Sequence, residues 1–195
     1  MVWCASIFSV VEIMPVLDPI YSQAVALFIA FVFAFAGIHK LMDYSRHAGI
    51  VADYQIVPAS LVPVLAPLVI MLEFASAALV LFSVTRSFGL VLSIGLFVIY
   101  LFSIGLNLLR GRRSIDCGCG WGSQGHQLSG WLIFRNLLMI AAALAALLPR
   151  IDRSLQAADW ILVVFAAMAM IAIYFIGDLL IANGSKLSKL RSVYE

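Results

Sequence analysis

Five apolar stretches, at about 20–41, 63–83, 87–108, 129–149 and 159–182, succeed one another along the chain, separated by polar or Gly- and Pro-bearing segments. A helix needs roughly 20 apolar residues to cross a hydrocarbon core of about 30 Å, so each stretch has the length of a transmembrane helix. The second and fourth connections are short, which makes the helices they join antiparallel hairpins. The first, "HKLMDYSRHAGIVADYQIVPAS", has room for a short amphipathic helix ahead of Pro63 and Pro67. The pattern predicts an all-α integral membrane protein: a five-helix transmembrane bundle with a four-helix core and a Cys-x-Cys loop before the fourth helix. Residues 1–19 read as an interfacial lead-in, 20–182 as a single transmembrane helical domain and 183–195 as a polar, basic C-terminal tail. The lead-in is not read as a signal peptide, because it lacks a basic start and Glu12 interrupts its apolar run.

Composition agrees with the pattern. The chain is 64% hydrophobic and 11% charged, too little charge to cover a water-exposed domain. A net charge of +2, with no basic run interleaved with aromatics, excludes a nucleic-acid partner. With five spans, the first and third connections share a side with the C-terminus. Lys40, Arg46, Arg110, Arg112, Arg113, Lys186, Lys189 and Arg191 fall on that side, against Arg86, Arg150 and Arg153 on the other. The positive-inside rule then puts the cysteine loop inside and the N-terminus outside.

Ionisable residues within the spans are costly and point to function or to locking of the bundle. Glu73 lies well inside the second span. Arg135 lies about 9 Å into the fourth, at ~1.5 Å per residue from Ser129, and Glu73 only slightly deeper, so the two are expected to pair. The first span ends with His39 and Lys40, the third with Asn107 and Arg110, and the fifth carries Asp178 near its end. Helix counting therefore gathers the polar residues on one working face. There, Lys40 and Arg110 are expected to snorkel to headgroups, His39 and Asn107 to cap helix ends, and Asp178 to pair with Lys40 or Lys186.

The same face carries "RGRRSIDCGCGWGSQGH", residues 110–126. Positive charge lowers a thiol pKa; Arg110, Arg112 and Arg113 supply it, with the start of the fourth helix adding its dipole. Asp116 opposes both and could accept a proton during exchange. Gly118, with Gly120, Gly122 and Gly125, frees the backbone for a tight ring. Cys117 and Cys119 can join only in a strained small ring, which favours exchange with other thiols over an inert staple. Metal binding competes: Cys117, Cys119 and His126 offer three ligands, but no fourth lies in the loop and Cys4 is expected on the opposite face, so no metal is expected. An incidental pair in a turn is the third alternative.

"FAGIHKL", "DYQIVPASLVPVLAPLVIMLEF" and, most specifically, "GLNLLRGRRSIDCGCG" followed by "RNLL" closely resemble the methylamine utilisation MauE family over about residues 25–150. The first helices also resemble the broader DoxX-like membrane proteins. The resemblance implies a multi-pass protein of the bacterial inner (plasma) membrane, needed to mature periplasmic methylamine dehydrogenase. The client is that enzyme's small subunit, which carries many disulfides and a tryptophan tryptophylquinone. The partner is a membrane-anchored thioredoxin-like protein of the MauD type. On this resemblance Cys117 and Cys119 are the redox pair, with Arg110, Arg112, Arg113, Asp116 and Gly118 inside the matching motif and Glu73 and Arg135 matching as well. The chain is then a thiol–disulfide oxidoreductase that forms or corrects client disulfides, or a non-enzymatic docking factor for the thioredoxin-like partner; whether it is an enzyme stays open. No cofactor beyond the Cys117–Cys119 disulfide is expected. A quinone acceptor, suggested by fold-level analogy with vitamin K epoxide reductase relatives, stays open without a motif of its own. The client's disulfides form outside, whereas the charge count puts the cysteines inside.

Overall fold

Asp18 opens the first helix: its side chain accepts the backbone N–H of Ile20 at 2.9 Å, and Pro19 follows with its φ preset for helix. The computed structural model describes residues 17–112 and 129–194. Among the described residues there are six α-helices, in order α1 (Pro19–Met42), α2 (Tyr44–Asp53), α3 (Val62–Leu81), α4 (Arg86–Leu109), α5 (Gly130–Ala146) and α6 (Ala157–Tyr194). A single 3-10 turn, Ala59–Leu61, leads into α3. Helix α2 is the short helix expected in the first connection, started by Asp43, whose side chain accepts Arg46 N–H at 3.2 Å.

Among the described residues, four helices are long and apolar enough to cross a membrane: Pro19–Met42, Ala59–Leu81, Arg86–Leu109 and Ala157–Leu180. Helix α5 is apolar too but spans 17 residues. The polar C-terminal residues continue α6 as helix to Tyr194. Helix α1 packs on α3, α3 on α4, α4 on α5, and α5 returns to α1, closing a ring of four; α6 lies against α1. Val25, Ile29 and Phe33 of α1 meet Val80 of α3, Leu90 and Phe97 of α4 and Ala143 of α5 in the core, with the Phe33 and Phe97 rings 4.8 Å apart. The outward surface is also apolar: Met71, Phe88, Phe102, Phe165 and Ile173 are exposed. An apolar sheath of that extent suits hydrocarbon, where helices satisfy their own backbone groups.

The end away from α2 is clamped by basic residues. Leu17 N–H donates to Pro149 C=O at 3.0 Å and Ile151 N–H to Leu17 C=O at 3.1 Å, holding the entry to α1 against the α5–α6 connection. Arg153 bridges Asp18 and Asp159, and its guanidinium holds the Asp18 carboxyl below the usual carboxylate range. Arg150 donates to Ser22 Oγ at 3.3 Å. Arg86 is buried and donates to Val80 C=O at 3.2 Å, while Thr85 Oγ1 donates to Leu79 C=O at 2.8 Å; together they cap the end of α3.

Helices α3 and α4 touch most closely at Gly89, where a Cβ would meet Val80 N at 2.5 Å and Leu79 C at 2.8 Å. One turn on, the Ser76 and Ser93 hydroxyls hydrogen-bond at 2.6 Å, both buried. Small residues and hydroxyl pairs are how membrane helices gain contact without a hydrophobic drive. Gly89→Val therefore destabilises the protein by about 1–3 kcal/mol, the usual cost of overpacking. Gly105→Ala, where a Cβ meets nothing within 4 Å, is neutral or better. Thermal unfolding of the two variants in detergent checks the contrast.

Candidate functional site

The face at which α1 and α4 end carries two ion pairs, one fully buried and one partly buried. Lys40 of α1 pairs with Glu73 of α3, and Tyr100 of α4 completes the group: its hydroxyl donates to the same carboxylate oxygen, Oε1, at 2.5 Å and accepts from Lys40 Nζ at 3.1 Å. Glu73 is fully buried, and its Oε2 has no hydrogen-bond partner. Arg135 of α5 grips Asp178 of α6 through Nη1, at 2.9 Å to Oδ1 and 2.6 Å to Oδ2, and Trp131 Nε1 donates to the same Oδ1 at 3.3 Å. The Arg135 guanidinium also lies 5.0 Å from the centroid of the Tyr174 ring, a cation–π contact. The close fit depends on Gly177, because a Cβ there would meet Trp131 at 2.6 Å.

The expected Glu73–Arg135 pair thus gives way to two separate pairs. Counting along the helices placed both residues at similar depth, but Glu73 faces α1 and α4 while Arg135 faces α6. Lys40 does not snorkel; it is 6% exposed and neutralises Glu73. Asp178 is held by Arg135, while the expected Lys40 is spent on Glu73; the side chain of Lys186 lies outside what is described. Members of both pairs nevertheless meet at one cavity of about 40 Å³, whose lining includes His39, Lys40, Glu73, Tyr100, Arg135 and Asn136. Its wall is mostly apolar and aromatic, with these polar side chains set into it, and its size has room for a water molecule.

A second cluster sits where the chain leaves α4 toward the cysteine segment. Helix α4 ends in a Schellman turn: Gly111 adopts φ +73°, Gly111 N–H donates to Leu108 C=O and Arg112 N–H to Asn107 C=O, both at 3.0 Å. The turn aims three side chains at α2, whose last turn ends at Gln55 with φ 48°. Arg112 donates to Asp53 C=O at 3.3 Å, Asn107 to Tyr54 C=O at 3.2 Å and Arg110 to Gln55 C=O at 3.3 Å. Three consecutive carbonyls at and just past the C-terminus of α2 are thereby satisfied, those of Asp53 and Tyr54 being orphaned by helix geometry, and two of the donors are cations suited to the dipole there. Asn107 caps a helix, as expected, but α2 rather than its own; Arg110 binds a carbonyl instead of reaching outward. Arg113, Asp116, Cys117, Gly118, Cys119 and His126 lie outside the described residues, as does Cys4.

The sequence reading missed Tyr100, which has a legible signal. Arg86, Ser93, Tyr100 and Asn107 recur every seven residues along α4 and so share one face; each makes an inward polar contact. It also missed His47 of α2, buried with Nε2 3.2 Å from Ala66 C=O of α3. Burial, with the charge of Lys40, lowers the His47 pKa to about 4.

The profile of the family described as "Methylamine utilisation protein MauE" matches residues 18–149. The chain is similar to the methylamine utilization protein MauE of Methylophilus methylotrophus, 37% identical over 102 residues, 52% of this chain and 54% of that one. It thus spans about half the length of that relative. The Methylorubrum extorquens protein of the same name is 31% identical over 134 residues, 68% of this chain and 72% of that one. The Paracoccus versutus protein is 28% identical over 165 residues, 84% and 88% of the two chains. No solved structure matches the chain.

Removing one partner of a buried ion pair strands the other. Lys40→Met or Glu73→Leu alone is expected to cost about 3–5 kcal/mol, and the double variant to recover most of it; a double-mutant cycle by detergent unfolding reads this coupling. His47 supplies a pH dependence. Its folded pKa, about 4, lies below the ordinary histidine value of 6.5, so the unfolded chain binds more protons and stability falls as pH drops from about 6.5 to about 4. His47→Gln flattens that part of the pH–stability curve.

Proposed function

Because the chain belongs to the methylamine utilisation protein MauE family, we propose that it serves methylamine utilisation as a thiol–disulfide redox protein of the bacterial inner membrane, with Cys117 and Cys119 as its exchanging pair. Family membership carries this reading, and the "IDCGCG" segment supplies the only chemistry in the chain that suits disulfide exchange. The partner is a thioredoxin-like protein of the MauD type, and the client is the small subunit of methylamine dehydrogenase. A client thiolate attacks the Cys117–Cys119 disulfide, whose S–S bond breaks as the mixed disulfide forms; a second client thiolate resolves it, so the client gains a disulfide and the pair takes up two electrons and two protons, which it passes on to a disulfide of the thioredoxin-like partner.

In this reading α5 completes a fifth crossing, since 17 helical residues reach roughly 26 Å and lie at the lower end of known spans. The pair faces the periplasm, where client disulfides form. The charge count opposes that side, and the place where client disulfides form is what favours it.

Cys117→Ser and Cys119→Ser are each expected to abolish client maturation while the protein stays folded in the membrane. Normal maturation with either variant would overturn the redox role and leave a docking factor. On a Cys4→Ser background, a membrane-impermeant maleimide should label intact cells only after reduction. Labelling only after the membrane is opened would put the pair on the inner face.

A further inference from the structure

A second, larger cavity, of about 310 Å³, lies between α2, α3 and α4. Its walls are apolar, from Ile50 and Val51 of α2, Leu65 and Val69 of α3, and Leu96 of α4. Leu68 and Ile99, 42% and 55% exposed, stand on its rim and open it sideways to the surrounding hydrocarbon. Five side chains with polar groups interrupt the lining: Lys40, His47, Tyr54, Tyr100 and Ser103. Lys40 and Tyr100 also line the small cavity described above, so this pair forms the partition between the two spaces.

These groups set the chemistry of an occupant. Lys40 Nζ carries three N–H donors and spends two, on Glu73 and on the Tyr100 hydroxyl. Its charge is already matched by Glu73 on the same nitrogen, so an anionic head would meet the carboxylate without a free cation to offset it. His47 is uncharged at neutral pH. The lining therefore offers hydrogen-bond donors in neutral surroundings, at the end of an apolar chamber of ligand-pocket size. Ser103 adds a hydroxyl one helical turn from Tyr100.

We propose that this chamber binds a neutral, lipid-soluble molecule with an apolar body and a hydrogen-bond-accepting carbonyl head, which enters sideways between α3 and α4 and places its carbonyl against Lys40 Nζ and the Ser103 hydroxyl. Two sources share that chemistry: a tailed benzoquinone and a neutral acylglycerol ester. A free fatty acid, with its anionic head, is disfavoured.

The full-length protein in phosphatidylcholine nanodiscs is labelled with a photoreactive azido-benzoquinone bearing a ten-carbon tail, and the labelled peptides are mapped by mass spectrometry. Saturable labelling of α3 and α4 around the chamber is expected, falling at least tenfold in Ser103→Phe, which fills it, and unchanged in the outward-facing Met71→Phe. Should Ser103→Phe fail to fold, Ile99→Trp at the mouth is read instead, with the same loss expected. Competition by decylubiquinone alone assigns the quinone source; equal competition by dioleoylglycerol assigns the ester. Labelling that does not saturate, that both filling variants leave intact, or that oleate displaces best would overturn the proposal. The Cys117→Ser, Cys119→Ser double variant binds as the parent does, which separates this site from the thiol chemistry.

Discussion

Helices this apolar gain little from leaving lipid for one another, so burial alone does not choose their neighbours. Charge does. A lysine, a carboxylate or a guanidinium within the bundle needs a counterpart at hydrogen-bond distance, because an uncompensated ion costs far more than any single apolar contact. Lys40–Glu73 joins α1 to α3, Tyr100 draws α4 into the same group, and Arg135–Asp178 fastens α6 to α5. Remove either pair and the remaining contacts, mostly Ala, Phe, Leu and Val, would accept other arrangements at small cost.

The same requirement explains the order along α4. Arg86 closes the end of α3, Ser93 meets Ser76, Tyr100 meets Glu73, and Asn107 closes the end of α2. Each polar residue sits seven positions after the last, so one stripe of the helix carries every contact with its neighbours' polar groups. Gly89, near the start of the stripe, brings α3 close enough for the short hydroxyl pair to form. Spacing of this kind keeps one face turned inward over the whole length of the helix.

Helix positions were legible because apolar length is a strong signal and because Asp18, Asp43 and Gly111 mark helix ends with residues suited to them. The polar working face was legible too, since alternation of direction places His39, Lys40, Asn107 and Asp178 at one end. Partner choice was not. Depth follows from counting residues, whereas the facing of Glu73 toward Lys40 depends on how α3 is rotated, which an almost uniformly apolar helix does not announce. Tyr100 was passed over because an aromatic in a membrane span reads as packing until its hydroxyl is seen against a carboxylate. Arg110 and Arg112 read as charge beside the cysteines; their carbonyl partners are more than 50 residues away in sequence.

That separation has a consequence for how the chain is made. Helix α2 is synthesised and released well before Asn107, Arg110 and Arg112 exist, so during translation its last carbonyls have only water or headgroups to bond. The helix can take its final seat only after α3 and α4 have entered the membrane and the turn at Gly111 has closed. The chamber walled by α2 is accordingly a late product of insertion, completed when the segment leading to the cysteines arrives.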